Sequence, residues 1–96
     1  MSQYIHTFLE TAPAILDSIR EAGSREHWDE LKSAAHSLKP QAEFIGLLEM
    51  KEALEEMEQF AKQNPTKSEF AVKMNGLGHL FENGSNRLIQ TLLTLA

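Results

Sequence analysis

The chain contains no cysteine, which removes a disulfide framework, a thiolate nucleophile and any cysteine-ligated zinc or iron–sulfur centre. Valine occurs once, the threonines are scattered, and no segment alternates apolar and polar residues over six positions, so strands are not expected. Long apolar runs are missing too. None approaches the ~20 residues of a membrane span, and the first twenty residues carry no signal-peptide pattern, so the expected location is the cytoplasm, with no membrane partner. Basic residues are in deficit: nine Lys and Arg against fourteen Asp and Glu leave a net charge of -5. No basic run exceeds two residues, so nothing tracks a phosphate backbone and nucleic acid is not an expected partner. A Gly-rich phosphate loop and kinase motifs are also absent, so neither ATP hydrolysis nor self-phosphorylation is expected.

What is present is a helical period along all 96 residues, 42% of them hydrophobic. A chain this short buries one core layer and no deep walled pocket, so a single domain over residues 1–96 is expected. Ser2 is the candidate cap of a first segment that aligns Ile5, Phe8, Leu9, Ala12, Ile15, Leu16 and Ile19, with a kink or restart expected at Pro13. Gly23 reads as its stop and Ser24 as the next N-cap, opening a segment with Trp28, Leu31, Ala35 and Leu38 on one face. Pro40 is expected to end or bend it.

A third segment, about 43–63, aligns Leu47, Met50, Leu54, Met57 and Ala61. Of Glu49, Glu52, Glu55, Glu56 and Glu58, four read as a solvated helix face. Asn64 and Pro65 break this segment, and Thr66 with Glu69 forms a capping box. The last segment aligns Phe70, Met74, Leu77, Phe81, Gly84, Leu88, Leu92 and Leu95, with bends expected where Gly76, Gly78 and Gly84 let a neighbouring helix approach. The methionines at 50, 57 and 74 read as core filler by their spacing. Short connections imply an all-α, antiparallel up-and-down four-helix bundle with a short or kinked N-terminal helical segment. Met1 and the full set of segments suggest a free-standing protein, with an excised domain of a larger one as the alternative, and a monomer is expected.

Four histidines are the groups that titrate near neutrality. His6, His27 and His79 have no partner at a useful helical spacing, and no His-x-x-x-His or Glu-x-x-His pair suggests a metal site. His36 stands about 100° round from core residue Ala35, at the solvent edge of its helix. Lys32, Ser33 and Lys39 lie within a turn of it, and no carboxylate sits three or four residues away. Two ammonium groups disfavour the imidazolium and keep a neutral nucleophile available. Gly46 reads as an early residue of the returning helix, close to the imidazole, with Phe44, Ile45 and Leu47 supplying apolar surface around it.

The run Ala35-His36-Ser37-Leu38-Lys39-Pro40, followed by Phe44-Ile45-Gly46-Leu47, resembles the signature of histidine-containing phosphotransfer (HPt) domains of two-component signalling. His27-Trp28-Asp29-Glu30-Leu31 is similar to that family's entry to its active helix. The resemblance implies that His36 carries a phosphoryl group on Nε2, taken from an aspartyl phosphate of a receiver domain and given to another receiver. It implies that Lys39 neutralises the phosphoryl oxygens and that Gly46 gives the receiver access. Many members orient the imidazole with a Gln on the next helix; Glu58 occupies that position here, and Pro40 stands where the common pattern has Gly. Lys32, Ser33, Pro40, Phe44, Ile45, Gly46 and Leu47 become the expected docking surface for receiver domains of response regulators or hybrid sensor kinases. No cofactor is expected on this chain, the Mg²⁺ belonging to the receiver. A helical interaction module without phosphotransfer is the alternative, and a metal-binding bundle ranks last.

Overall fold

The computed structural model describes residues 2–95, with side chains for 3–94. Four helices follow one another: α1 Ser2–Ser24, α2 Trp28–Phe44, α3 Leu48–Lys62 and α4 Lys67–Leu95. Each packs on its neighbours in the chain and α4 closes the ring against α1, so the molecule is an all-α four-helix bundle 46 Å long and 19 Å across. The α2–α3 pair is the most extensive. No helix of the described residues is long and apolar enough to cross a membrane.

The apolar stripes meet on the bundle axis. Ile5, Phe8, Ala12, Leu16 and Ile19 of α1 face Leu31, Ala35, Leu38 and Ala42 of α2, Met50, Leu54 and Met57 of α3, and Phe70, Met74, Leu77 and Leu88 of α4. At one end Trp28 stacks edge-on against Phe60 and Phe70, with centroids 5.9 and 6.2 Å apart. Phe60, outside the stripe expected for α3, is buried by this cluster.

Neither proline ends its helix. α1 is a full helix of 23 residues rather than a short segment, and it runs through Pro13 unbroken. Pro13 is exposed, and its missing donor removes one backbone bond. The buried side chains before and after it share one face and keep the helix together. Likewise α2 continues through Pro40 to Phe44 instead of ending there. The capping role expected of Ser2 lies outside the described side chains.

The turns also correct the reading of Gly23 and Ser24. Both are inside α1, and the Ser24 hydroxyl donates to the Glu21 carbonyl at 2.9 Å instead of capping α2. A Cβ on Gly23 would fall within 2.1–2.3 Å of the Phe70 ring, so this glycine serves the contact between α1 and α4. Two matching turns reverse the chain. His27 N–H donates to Ala22 O and Glu26 N–H to Gly23 O, with Glu26 at φ 59°. Leu47 N–H donates to Ala42 O and Gly46 N–H to Glu43 O, with Gly46 at φ 84°. Both are Schellman closures with a left-handed residue just past the helix.

At the third turn α3 stops at Lys62, and Thr66 caps α4 by accepting from Glu69 N–H at 3.2 Å, as the capping box requires. α4 is continuous for 29 residues. Space beside Gly76 and Gly78 is open, whereas a Cβ on Gly84 would meet the Leu47 side chain at 3.0 Å. Of the three α4 glycines, only Gly84 marks a close approach.

Candidate functional site

His36 and Lys39 are three residues apart on α2, so their side chains rise from the same face of the helix. That face meets α3 at Glu58, the residue after core Met57 and at the edge of the buried stripe. Glu58 is the one charged residue among the buried side chains of the described residues. Its carboxylate is divided between two partners: Oε2 lies 3.2 Å from His36 Nδ1, and Oε1 lies 2.9 Å from Lys39 Nζ. Side-chain exposures are 69% for His36, 24% for Lys39 and 9% for Glu58. A buried anion thus anchors an imidazole that reaches into solvent.

Burial by itself would push the Glu58 carboxyl up, but contact with the Lys39 ammonium and the His36 imidazole outweighs it and holds the group below its ordinary range. The Glu58 contact in turn raises the Lys39 ammonium against a smaller opposing effect of burial, with Glu55 and Glu43 adding to the rise. An ionised carboxylate can only accept, so Nδ1 of His36 carries the hydrogen and donates to Oε2. In the neutral ring the lone pair is then on Nε2, the nitrogen left free for chemistry.

This arrangement corrects the expected electrostatics. No carboxylate lies within a turn of His36 along α2, yet one reaches it from α3, 22 residues later. The charge of Lys39 is engaged by Glu58, so the surroundings of the imidazole are not the positive field read from Lys32 and Lys39. His27 also has a partner at helical spacing, with Nδ1 3.4 Å from Glu30 Oε2.

Lys32 and Ser33 are exposed on α2 one turn before His36, and Pro40 is exposed one turn after it. Gly46 is elsewhere. It belongs to the α2–α3 turn and not to α3, beyond the end of α2 at Phe44, which is itself ~12 Å of helical rise from His36. Its required property there is a positive φ, since nothing would touch a Cβ at that position. Leu47 cannot offer surface either, being 5% exposed and folded against Gly84. Phe44 is exposed and Ile45 half-buried.

An apolar recess of about 360 Å³ between α1 and α2 is lined by Pro40, Phe44, Ile45 and, from α1, Tyr4 and Phe8. Tyr4 packs edge-on against Phe44, with centroids 4.9 Å apart. Tyr4 and the exposed Leu48 were not singled out in the sequence, because each is one apolar residue off its helix stripe. No group of three His, Cys, Asp or Glu side chains able to hold a metal ion occurs among the described residues.

A family model described as Hpt domain matches residues 3–94. No curated protein and no solved structure matches the chain.

Proposed function

The chain belongs to the Hpt domain family, the phosphotransfer modules of two-component phosphorelays, and from that premise we propose that His36 accepts a phosphoryl group from the aspartyl phosphate of a receiver domain and passes it to another receiver aspartate. The observation that carries this reading is the contact between His36 Nδ1 and buried Glu58, which presents Nε2 as the nucleophile. In the forward step the Nε2 lone pair forms a bond to phosphorus while the bond from phosphorus to the aspartyl oxygen breaks, its electron pair returning to the receiver's carboxylate. Nδ1 keeps its hydrogen throughout, and Glu58 balances the positive charge that the phosphorylated ring gains. Lys39 lies on the same face and is within reach of the phosphoryl oxygens.

Little else is asked of this chain. Phosphoryl transfer depends on positioning and charge neutralisation, and the receiver brings its acidic cluster and Mg²⁺. The module is accordingly a carrier and not a kinase or ATPase. The recess beside Pro40 and Phe44 begins one turn from His36 and supplies apolar surface for the docked receiver.

The test is incubation with a panel of receiver domains carrying a radiolabelled aspartyl phosphate. Acid-labile label is expected on the wild type and not on His36→Gln. Label that persists in the mutant, or no label from any receiver, would overturn the proposal and leave the interaction-module reading.

A further inference from the structure

Lys39 has two claimants. In the resting protein its ammonium is 2.9 Å from Glu58 Oε1, while its place three residues after His36 brings it within reach of any group attached to the imidazole. The two positions are not the same. Nδ1 is turned toward Glu58, and Nε2 leaves the ring from a different edge, so a phosphoryl group on Nε2 is carried away from the carboxylate. Moving Lys39 to the phosphoryl oxygens takes it from a carboxylate that is only 9% exposed and leaves that buried anion with the phosphorylated ring alone, where it had two cationic partners.

We infer that Glu58 competes with the phosphoryl group for Lys39, so that the chain holds its phosphoryl group less tightly than a free Lys39 would allow. Resting on the phosphotransfer reading above, the inference adds a second role for Glu58. By orienting Nδ1 it makes His36 a good acceptor, and by retaining Lys39 it keeps phosphorylated His36 a good donor. Glu58 acts through both side chains as a positioning residue. A neutral amide in its place keeps the hydrogen bond to Nδ1 but gives up most of its hold on the ammonium.

A double-mutant cycle separates this effect from a general loss of structure. The fraction of His36 phosphorylated at equilibrium with one receiver domain is measured for wild type, Lys39→Ala, Glu58→Gln and the double variant, with helicity checked by circular dichroism. Lys39→Ala should lower the phosphorylated fraction more in the Glu58→Gln background than in the wild type. The expected excess is about fivefold in the transfer equilibrium constant, within the range of ion-pair effects near a protein surface. Equal effects of Lys39→Ala in both backgrounds would overturn the competition while leaving phosphotransfer intact. If the wild type takes no label on His36, the phosphotransfer reading itself fails.

Discussion

Two histidines on α2 and at its start make the same contact to different ends. His27 Nδ1 is 3.4 Å from Glu30 Oε2, and His36 Nδ1 is 3.2 Å from Glu58 Oε2. Glu30 is three residues on, with its side chain 73% exposed; Glu58 comes from another helix and is 9% exposed. In the first pair water competes for both groups, the two side chains reorient freely, and such a pair contributes ~1 kcal/mol at most. In the second, the bundle fixes the carboxylate before the imidazole meets it, and Lys39 holds its other oxygen. The two contacts differ in the burial of the acid, so distance alone does not distinguish the two histidines.

The strongest way to break the comparison is to exchange the two histidines' fates. His36→Gln should abolish acceptance of label from a phosphorylated receiver and His27→Gln should leave it at the wild-type level; loss of activity in the second would show that the exposed pair matters too. Next in size is removal of the acids. Glu58→Ala frees the ring to rotate and change tautomer, and the transfer rate measured by rapid quench should fall about 10- to 100-fold, the usual cost of a misplaced reacting group. Glu30→Ala should not alter it. A smaller effect is expected of Lys39→Ala, about fivefold in rate, since its ammonium is partly engaged by Glu58 in the resting protein.

Acid should sharpen the contrast further. The carboxyl of Glu58 is held below its ordinary 4.5 in the folded chain, so its contribution to stability is full above that value and is lost as pH falls through the lower, folded value. Denaturant unfolding followed from pH 7 to pH 3 should therefore show a shallower acid limb for Glu58→Gln than for the wild type. An unchanged limb would mean that the carboxylate gains nothing from its partners. The smallest effect is assigned to the turn that carries His27. Glu26→Gly relieves a left-handed residue at φ 59° and should stabilise the bundle by about 1 kcal/mol, with phosphotransfer unaltered.

The four helices were legible in the sequence because burial follows the apolar period, and the period is strong in each of them. Where each helix stops was less so. Pro13 reads as a kink or restart and Pro40 as an end or bend, but an exposed proline removes a single bond from a helix whose buried face continues past it. The α1–α2 turn was misread because its left-handed position is filled by Glu26, and glycine is the usual signal for that conformation. Gly46 carried the signal and was given a different purpose. The placement of Leu47 follows from the same turn, since the residue after the left-handed position folds back onto the helix ends and here meets Gly84.

Within the site, His36 and Lys39 share a helix, so their common face could be read from spacing. Glu58 is 22 residues from His36 and could be paired with it only through the family resemblance. The sequence does hold a trace of its position. Among the acidic residues of α3 it is the one that follows Met57 at the edge of the core stripe, where a carboxylate is buried only if it finds partners.

On the proposed function, Glu58 makes Nε2 of His36 the nitrogen that takes the phosphoryl group. Phosphorus and nitrogen NMR of the chain after phosphorylation by a receiver domain tests it most directly. One phosphohistidine is expected, at His36, with phosphorus bonded to Nε2 and hydrogen retained on Nδ1. A phosphoryl group on Nδ1, or on any residue other than His36, would contradict it.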